Sequence, residues 1–80
     1  MPEFDDYFDC PEKLRGKRAV VKADYLKDLG RLILGEVVEI LDARKEKHPE
    51  LSADILKIRV RSIAWKNEAE VEHTDLILCE

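Results

Sequence analysis

Histidine and cysteine are the side chains that most often bind metals or act as bases and nucleophiles, and this 80-residue sequence has two of each. His48 lies in a polar stretch beside a proline, and His73 follows a segment in which acidic and apolar residues alternate. Neither has a second ligand at the spacing of a metal motif, and Cys10 and Cys79 are too far apart in the chain to form one. The sequence therefore predicts no metal site and no histidine that acts as a general base.

Hydroxyl and glycine residues are equally sparse. Besides the tyrosines, the hydroxyl side chains are Ser52, Ser62 and Thr74. None has a histidine and an acidic residue plausibly placed nearby in the sequence to activate it as a nucleophile. The glycines are Gly16, Gly30 and Gly35, and because they are isolated they do not form a phosphate-binding loop. We therefore expect a protein that is not an enzyme and has neither a cofactor nor a small-molecule substrate.

A row of basic side chains is the clearest candidate for binding chemistry. Residues 55–61 alternate between apolar and basic types with the period of two that is typical of a β-strand. The apolar side chains Leu56, Ile58 and Val60 would face inward, and Lys57, Arg59 and Arg61 outward. Further basic residues on the adjoining segment are Lys13, Arg15, Lys17 and Arg18. Together these cations could contact the phosphates of a nucleic acid in a salt-dependent manner.

The acidic segment that follows weakens this nucleic-acid hypothesis. Glu68, Glu70 and Glu72 alternate with apolar residues, and a tight reversal at residues 66–67 would place them beside the basic row. Arg61 would then lie opposite Glu70 or Glu72. Such cross-strand ion pairs contribute about 0.2–1 kcal/mol each, and the carboxylates would repel phosphate. A structural ladder of ion pairs is the leading interpretation, and nucleic-acid binding is the alternative.

Apolar side chains outside the predicted strands point to a protein partner. They are Phe4, Tyr7 and Phe8 near the N-terminus, Tyr25, Leu26 and Leu29 in a long connection, and the single tryptophan, Trp65. A core of this size cannot absorb all of them, and contiguous exposed apolar groups mark interfaces. We predict a non-enzymatic module that binds another protein or a second copy of itself. In the alternative, the N-terminal aromatics cap an open end of the protein's own barrel, and Trp65 fills its core or rim.

Length and charge fit a small binding domain. A single domain of this length buries only about 60% of the surface that its unfolded chain exposes, which leaves little room for a ligand cavity. Residues 1–12 and 67–80 carry five acids each and no base, whereas residues 13–66 hold all 14 basic residues against eight acids. If the chain ends lie beside the middle, the charges cancel; if they lie apart, the domain has a basic and an acidic face.

Alternation and turn residues predict an all-β fold. Strands are expected at residues 18–22, 36–44, 55–61, 68–72 and 76–78. Residues 23–34, which we call the lobe, combine turn formers with apolar anchors and should be ordered. Residues 1–16 are expected to form a short helical or irregular acidic arm, and residues 17–80 the sheet domain.

The order of elements resembles that of Src-homology-3-like domains. As at the start of those domains, an apolar strand is preceded by Ala23, Asp24 and Tyr25, then Leu32, then Gly35 and Glu36. A three-stranded meander, a one-turn bend at residues 73–75 and a closing strand follow in the same order. The resemblance implies a five-stranded open barrel over residues 17–79. It does not imply a proline-rich ligand, because relatives that bind such peptides have paired tryptophans where this chain has Trp65 alone.

The sequence also predicts the compartment. No segment approaches the roughly 18 apolar residues of a membrane span, and the N-terminus has no basic segment followed by an apolar stretch. We therefore expect a cytoplasmic protein that makes no membrane contact. In a reducing compartment Cys10 and Cys79 would be free, half-buried thiols. Because barrels of this type bring their chain ends together, a disulfide between the two cysteines is the alternative.

Overall fold

The computed structural model describes residues 3–30, 32–50 and 52–79 and shows one antiparallel sheet of five strands. The strands are β1 Arg18–Val21, β2 Val37–Lys47, β3 Asp54–Ser62, β4 Glu68–Glu72 and β5 Leu76–Leu78. They lie in the order β4-β3-β2-β1-β5. The prediction of a mostly β molecule with five strands is confirmed. The sheet is not closed, because no pairing joins β4 to β5 among the described residues, so the barrel stays a prediction.

Short helical turns connect and flank the strands. In its described residues the predicted arm contains two 3₁₀ turns, Phe4–Tyr7 and Pro11–Leu14, and the lobe contains an α-helical turn, α1 Tyr25–Asp28. A third 3₁₀ turn, His73–Asp75, leads into β5 at the position where the sequence predicts a one-turn bend. In the described parts of the chain, no helix has the length and apolar character that crossing a membrane requires.

The core lies on one face of the sheet. The inward side chains of β3, which are Leu56, Ile58 and Val60, are completely buried, whereas Lys57 is half-buried and Arg59 and Arg61 are exposed. This confirms the predicted alternation. Ala19 and Val21 of β1 and Val38 and Ile40 of β2 belong to the same cluster. The arm and the lobe cover this face with Phe4, Leu14, Leu26 and Leu32, all of which are buried.

Strand β2 is longer than predicted and contains an irregularity. It continues through Lys47 because Lys45, Glu46 and Lys47 pair with the first residues of β3, although their side chains carry no alternating signal. The register shifts between Ile40 and Asp42, so that Leu41 is an extra residue in this strand. After the bulge the inward position passes to Ala43, which a strict period of two would place on the outer face.

The turn between β3 and β4 differs from the predicted tight reversal. It spans residues 63–67, because the Ser62 backbone N–H donates to the Asn67 carbonyl at 2.9 Å and the Lys66 N–H to the Ser62 carbonyl at 2.9 Å. The longer turn changes the register, so that Arg61 lies opposite Glu68. The predicted pairing of Arg61 with Glu70 or Glu72 is therefore wrong.

Candidate functional site

An apolar groove separates the lobe from the turn between β3 and β4. Its volume is about 520 Å³, within the range of about 300–1,000 Å³ typical of ligand sites. Leu32, which is 1% exposed, lines it from the core, whereas Ile33 and Trp65 are 49% and 69% exposed. The other lining residues are Lys27, Gly30, Glu36 and Asn67. The groove thus combines apolar walls with a few polar groups, which is the composition of a binding site.

A buried hydroxyl group sets the position of Trp65. Ser62 is completely buried, and its Oγ accepts the Trp65 backbone N–H at 3.1 Å. Lys66 then adopts a left-handed conformation, with φ of 63°, which brings the chain back toward β4. This local network holds the Trp65 backbone close to the sheet and leaves the indole ring in solvent beside the groove.

The opposite wall is fixed by a turn at the end of the lobe. Glu36 Oε2 accepts the Ile33 backbone N–H at 2.8 Å, and the Glu36 N–H donates to the Ile33 carbonyl at 3.1 Å. Gly35 has a φ of 86° and donates its N–H to the Val21 carbonyl at 2.7 Å. With Leu32 in the core, this turn directs Ile33 outward into the groove.

The charge of the groove wall is concentrated on two side chains of opposite sign. Lys27 is exposed, and Glu36 is half-buried. The second carboxylate oxygen of Glu36, Oε1, is buried, and no hydrogen-bond donor among the described residues reaches it. A buried acceptor without a donor is uncommon in folded proteins and marks a position where an incoming group would be stabilising.

Apolar surface continues next to the groove. The Ile63 backbone N–H donates to the Val37 carbonyl at 3.2 Å, which brings the two residues together where β2 begins and β3 ends. Val37 and Ile63 are 39% and 38% exposed, and Leu34 is 52% exposed. Val37 follows the groove residue Glu36 in the chain, Leu34 follows Ile33, and Ile63 lies two residues before Trp65. The exposed apolar surface at this end of the sheet is therefore broader than the groove itself.

The predicted partner-binding residues of the arm lie against their own sheet. Phe4 is in the core, and Tyr7 and Phe8 pack against the core from outside. The rings of Phe4 and Phe8 meet the His73 ring edge-on, with centroids 6.1 and 5.2 Å apart. His73 Nδ1 in turn accepts the Leu56 backbone N–H at 3.1 Å. The arm thus corresponds to the capping alternative, and Phe4 leaves almost no surface for a partner.

The predicted lobe residues have mixed environments. Leu26 is 2% exposed and belongs to the core, so it has no surface for the partner contact expected of it, whereas Leu29 is exposed. Tyr25 is also exposed, but its hydroxyl donates to Asp75 Oδ1 at the bend before β5.

Of the predicted partner-binding residues, Trp65 alone lines the groove of the described structure. Ile33 and Glu36 were missed as site residues, although three successive apolar residues at 32–34 could have indicated that one of them must face outward.

The basic row on β3 is paired with carboxylates. Arg59 Nε lies 3.1 Å from Glu68 Oε1, and an Arg61 guanidinium nitrogen lies 3.6 Å from Glu68 Oε2. Arg44 of β2 contacts both oxygens of Glu70, at 3.2 and 3.0 Å. These hydrogen bonds lower the pKa of Glu70 and raise that of Arg44. The outer face of these strands is therefore a ladder of ion pairs, although Lys57 lies opposite another base, Arg44, on β2.

Two basic residues of the adjoining segment, Arg15 and Lys17, also have local partners. Arg15 Nε lies 3.2 Å from Asp42 Oδ1. The pKa of Asp42 is lowered, first by the hydrogen bond from the Ala43 backbone N–H and then by the one from Arg15. Lys17 Nζ lies 5.7 Å from the centre of the Tyr7 ring, within the range of a cation–π contact. None of these arrangements gathers cations into an unopposed patch.

Other sequence candidates do not assemble into a reactive site. Among the described residues, no cluster of three or more His, Cys, Asp and Glu side chains could hold a metal ion. Cys10 and Cys79 are both half-buried free thiols, as in the first of the two alternatives. Comparison with protein-family models, curated proteins and solved structures yields no match. The groove therefore has to be interpreted from its own geometry and chemistry.

Proposed function

We propose that this protein is a non-enzymatic interaction module that binds a short apolar segment of another protein in the groove between the lobe and the β3–β4 turn. The exposed indole of Trp65 beside the groove carries this proposal. Tryptophan is among the residues most enriched at the energetic centres of interfaces. The Ser62 hydroxyl holds the Trp65 backbone next to the cavity, so a ligand would find the indole ring within reach of the groove.

The energetics favour a ligand that covers both walls. Full burial of a large apolar side chain contributes about 1.5–3 kcal/mol relative to its exposed state. Ile33 and Trp65 begin about half and two-thirds exposed, so each has a substantial part of this free energy to gain on binding. Because the backbone around both is hydrogen-bonded, little conformational entropy should be lost when a ligand orders them.

The size of the groove supports a short segment as the occupant. A stable interface between two globular proteins takes about 20–30 residues from each partner, whereas the described lining of this groove consists of seven residues. A few residues of an extended or turn-shaped peptide would fill it. The rest of the outer face of β3 carries ion-paired side chains, which are less suited to an apolar contact.

Peptide display tests this proposal directly. Random 12-residue peptides would be selected against the full chain, and clones that also bind the Ile33→Asp variant would be removed. We expect enriched peptides with at least one large apolar residue, whose binding is lost in Ile33→Asp and Trp65→Ala. The matched control is Ile77→Asp, which places the same charge at a residue of equal exposure, 50% against 49%, on the edge strand β5.

Two results would contradict the proposal. One is a selection that enriches no peptide above the background of an unrelated small domain. The other is a set of peptides whose affinities fall equally in Ile33→Asp and Ile77→Asp, because they would then bind elsewhere or sense stability alone. Far-ultraviolet circular dichroism of each variant establishes that the β fold is retained.

The finer fold class is part of the same proposal. The chain order of one strand, the lobe, three meandering strands, a 3₁₀ turn and a last strand supports a Src-homology-3-like open barrel. So does the position of β1 between β2 and β5 in the sheet. The groove, however, is lined by one tryptophan and no proline-rich ligand is proposed for it. An experimental structure that shows β4 curling toward β5 over the buried face would bear out the barrel.

A further inference from the structure

We infer that the groove selects a segment in which a cationic side chain, above all arginine, lies beside the apolar residue, with Glu36 and Trp65 forming the subsite for the cation. This inference rests on the proposed function and adds the chemistry of the partner. Three observations carry it: the unpartnered Glu36 oxygen, the exposed indole of Trp65, and the unequal exposure of the two groove charges.

Glu36 provides an acceptor that the protein itself does not use. Its Oε2 is engaged by the Ile33 N–H at 2.8 Å, which fixes the carboxylate in the wall of the groove. Its Oε1 is buried without a donor from the described residues. A charged donor brought by a ligand would satisfy this oxygen and would form the stronger, charge-assisted kind of hydrogen bond.

The buried oxygen can become accessible without unfolding the lobe. Glu36 as a whole is half-buried, so part of the side chain already borders solvent. The torsion that turns a carboxylate group has broad, shallow minima, so a small rotation, which lengthens the hydrogen bond from the Ile33 N–H to Oε2, can present Oε1 to the groove. The backbone hydrogen bond between Glu36 and Ile33 is unaffected by that rotation.

Trp65 provides the second half of the cation subsite. An indole face attracts a cation within about 6 Å of its ring, and a guanidinium group stacks on it as a plane. Arginine can therefore place its flat surface on Trp65 while its N–H groups point to Glu36. Lysine would form the point-charge contact but would lose the planar stacking.

Lys27 is the competing charge and would favour an anionic ligand. It is exposed, however, so water and salt screen its charge, whereas half-buried Glu36 is screened less. Asn67, the remaining polar side chain of the groove, is neutral. The balance of the groove therefore favours a cation, and removal of Lys27 should increase that preference.

The test compares three blocked dipeptides that differ only in charge. The probes are acetyl-Leu-Arg-amide, acetyl-Leu-citrulline-amide, in which the guanidinium becomes a neutral group of the same shape, and acetyl-Leu-Glu-amide. Each is titrated into the full chain while the fluorescence and indole N–H resonance of the single tryptophan are followed. We expect the arginine probe to bind about tenfold more tightly than the citrulline probe. In Glu36→Gln this ratio should fall to near one, and in Lys27→Gln it should rise.

The use of a ratio within each variant separates recognition from stability. A variant that merely loosens the lobe lowers the affinity of both neutral and cationic probes and leaves their ratio unchanged.

Equal binding of the arginine and citrulline probes by the original protein would overturn this inference and leave the proposed groove function intact. Tighter binding of the glutamate probe, abolished in Lys27→Gln, would overturn it in favour of an anionic partner. If no probe perturbs Trp65 at millimolar concentration, the inference fails, and peptide display decides separately whether the groove binds proteins.

Discussion

Tyr25 joins the lobe to the far end of the sheet through one hydroxyl group. That hydroxyl donates to Asp75 Oδ1, and the other carboxylate oxygen of Asp75 accepts the Glu72 backbone N–H at 3.2 Å. Asp75 is 6% exposed, and its own carbonyl accepts the Lys22 N–H at 3.0 Å. A buried carboxylate needs such donors, because removing it from water is costly unless it is hydrogen-bonded. Asp75 therefore couples the lobe, β4 and β5.

We predict that Tyr25→Phe destabilises the protein by about 1–3 kcal/mol, because Asp75 loses a donor while remaining buried. The free energy of unfolding is measured by urea denaturation. The matched control is Tyr7→Phe, which changes the only other tyrosine and retains the ring beneath Lys17. Equal losses in the two variants would show that the hydroxyl on Asp75 has no special role.

The charge ladder belongs to the scale of the strands. Cross-strand neighbours alternate in sign from β1 to β4, in the row Arg18, Glu39, Arg61 and Glu68. Arg59 and Arg61 each have an acid opposite them on both flanking strands, so phosphate would meet repulsion beside these two cations, whereas Lys57 lies between Arg44 and Glu72. This arrangement weighs against nucleic-acid binding through β3 and gives the ladder a structural role.

The ladder predicts a pH dependence of stability. The hydrogen bonds from Arg44 hold the pKa of Glu70 below its ordinary value of 4.5. A carboxyl group whose pKa is lower in the folded than in the unfolded state stabilises the fold above the unfolded pKa. That contribution disappears as the pH falls through the folded pKa. Glu70→Gln should therefore be less stable than the original protein at pH 6, and the difference should vanish as the pH falls well below 4.5.

A double-mutant cycle isolates the contact that causes this effect. The Arg44→Gln variant removes the hydrogen bonds to Glu70, so in that background Glu70→Gln should change the urea midpoint little at either pH. Because both side chains are largely exposed, salt should reduce the effect in the original protein. An unchanged difference between pH 6 and pH 3 would exclude Glu70 as its source.

Strand positions were predictable where one face is buried and the other charged. β3 has this pattern from Leu56 to Arg61, and β4 and β5 were predicted with the bounds that they have in the structure. β2 was not, because its last residues pair through the backbone while both faces are polar, and because the bulge at Leu41 interrupts the period. The turn at residues 63–67 depends on the buried hydroxyl of Ser62, and a serine gives no sign of burial in a sequence.

The groove was only partly predictable for a related reason. Trp65 was recognisable because a single tryptophan near a turn is a candidate for either the core or an interface. Ile33 was not, since its outward direction depends on the hydrogen bond between its N–H and Glu36. Composition likewise cannot distinguish Phe4, which is buried in the protein's own core, from an aromatic residue that is exposed and binds a partner.

At the scale of the whole molecule, the open sheet has two edges that a second copy could extend. The β4 edge carries Glu68, Glu70 and Glu72, and the β5 edge is only three residues long. Charged side chains and short strands are the usual protection against edge-to-edge pairing, since they repel a like edge or offer few backbone groups to it. Self-association is therefore expected to depend on the groove, if it occurs at all, and the edges should remain unpaired.

We predict a monomer of 9.3 kDa by light scattering after size exclusion, at concentrations up to about 100 μM. The groove and the exposed apolar residues beside it together fall short of the roughly 20–30 residues that each side of a stable interface between folded proteins takes. A dimer that Ile33→Asp dissociates would make a second copy the occupant of the groove and would replace the proposed foreign segment. A dimer that Ile33→Asp leaves intact would instead indicate pairing at an edge. Removal of residues 1–14 cannot serve as the test, because Phe4 and Leu14 are buried in the core and their loss would destabilise the monomer itself.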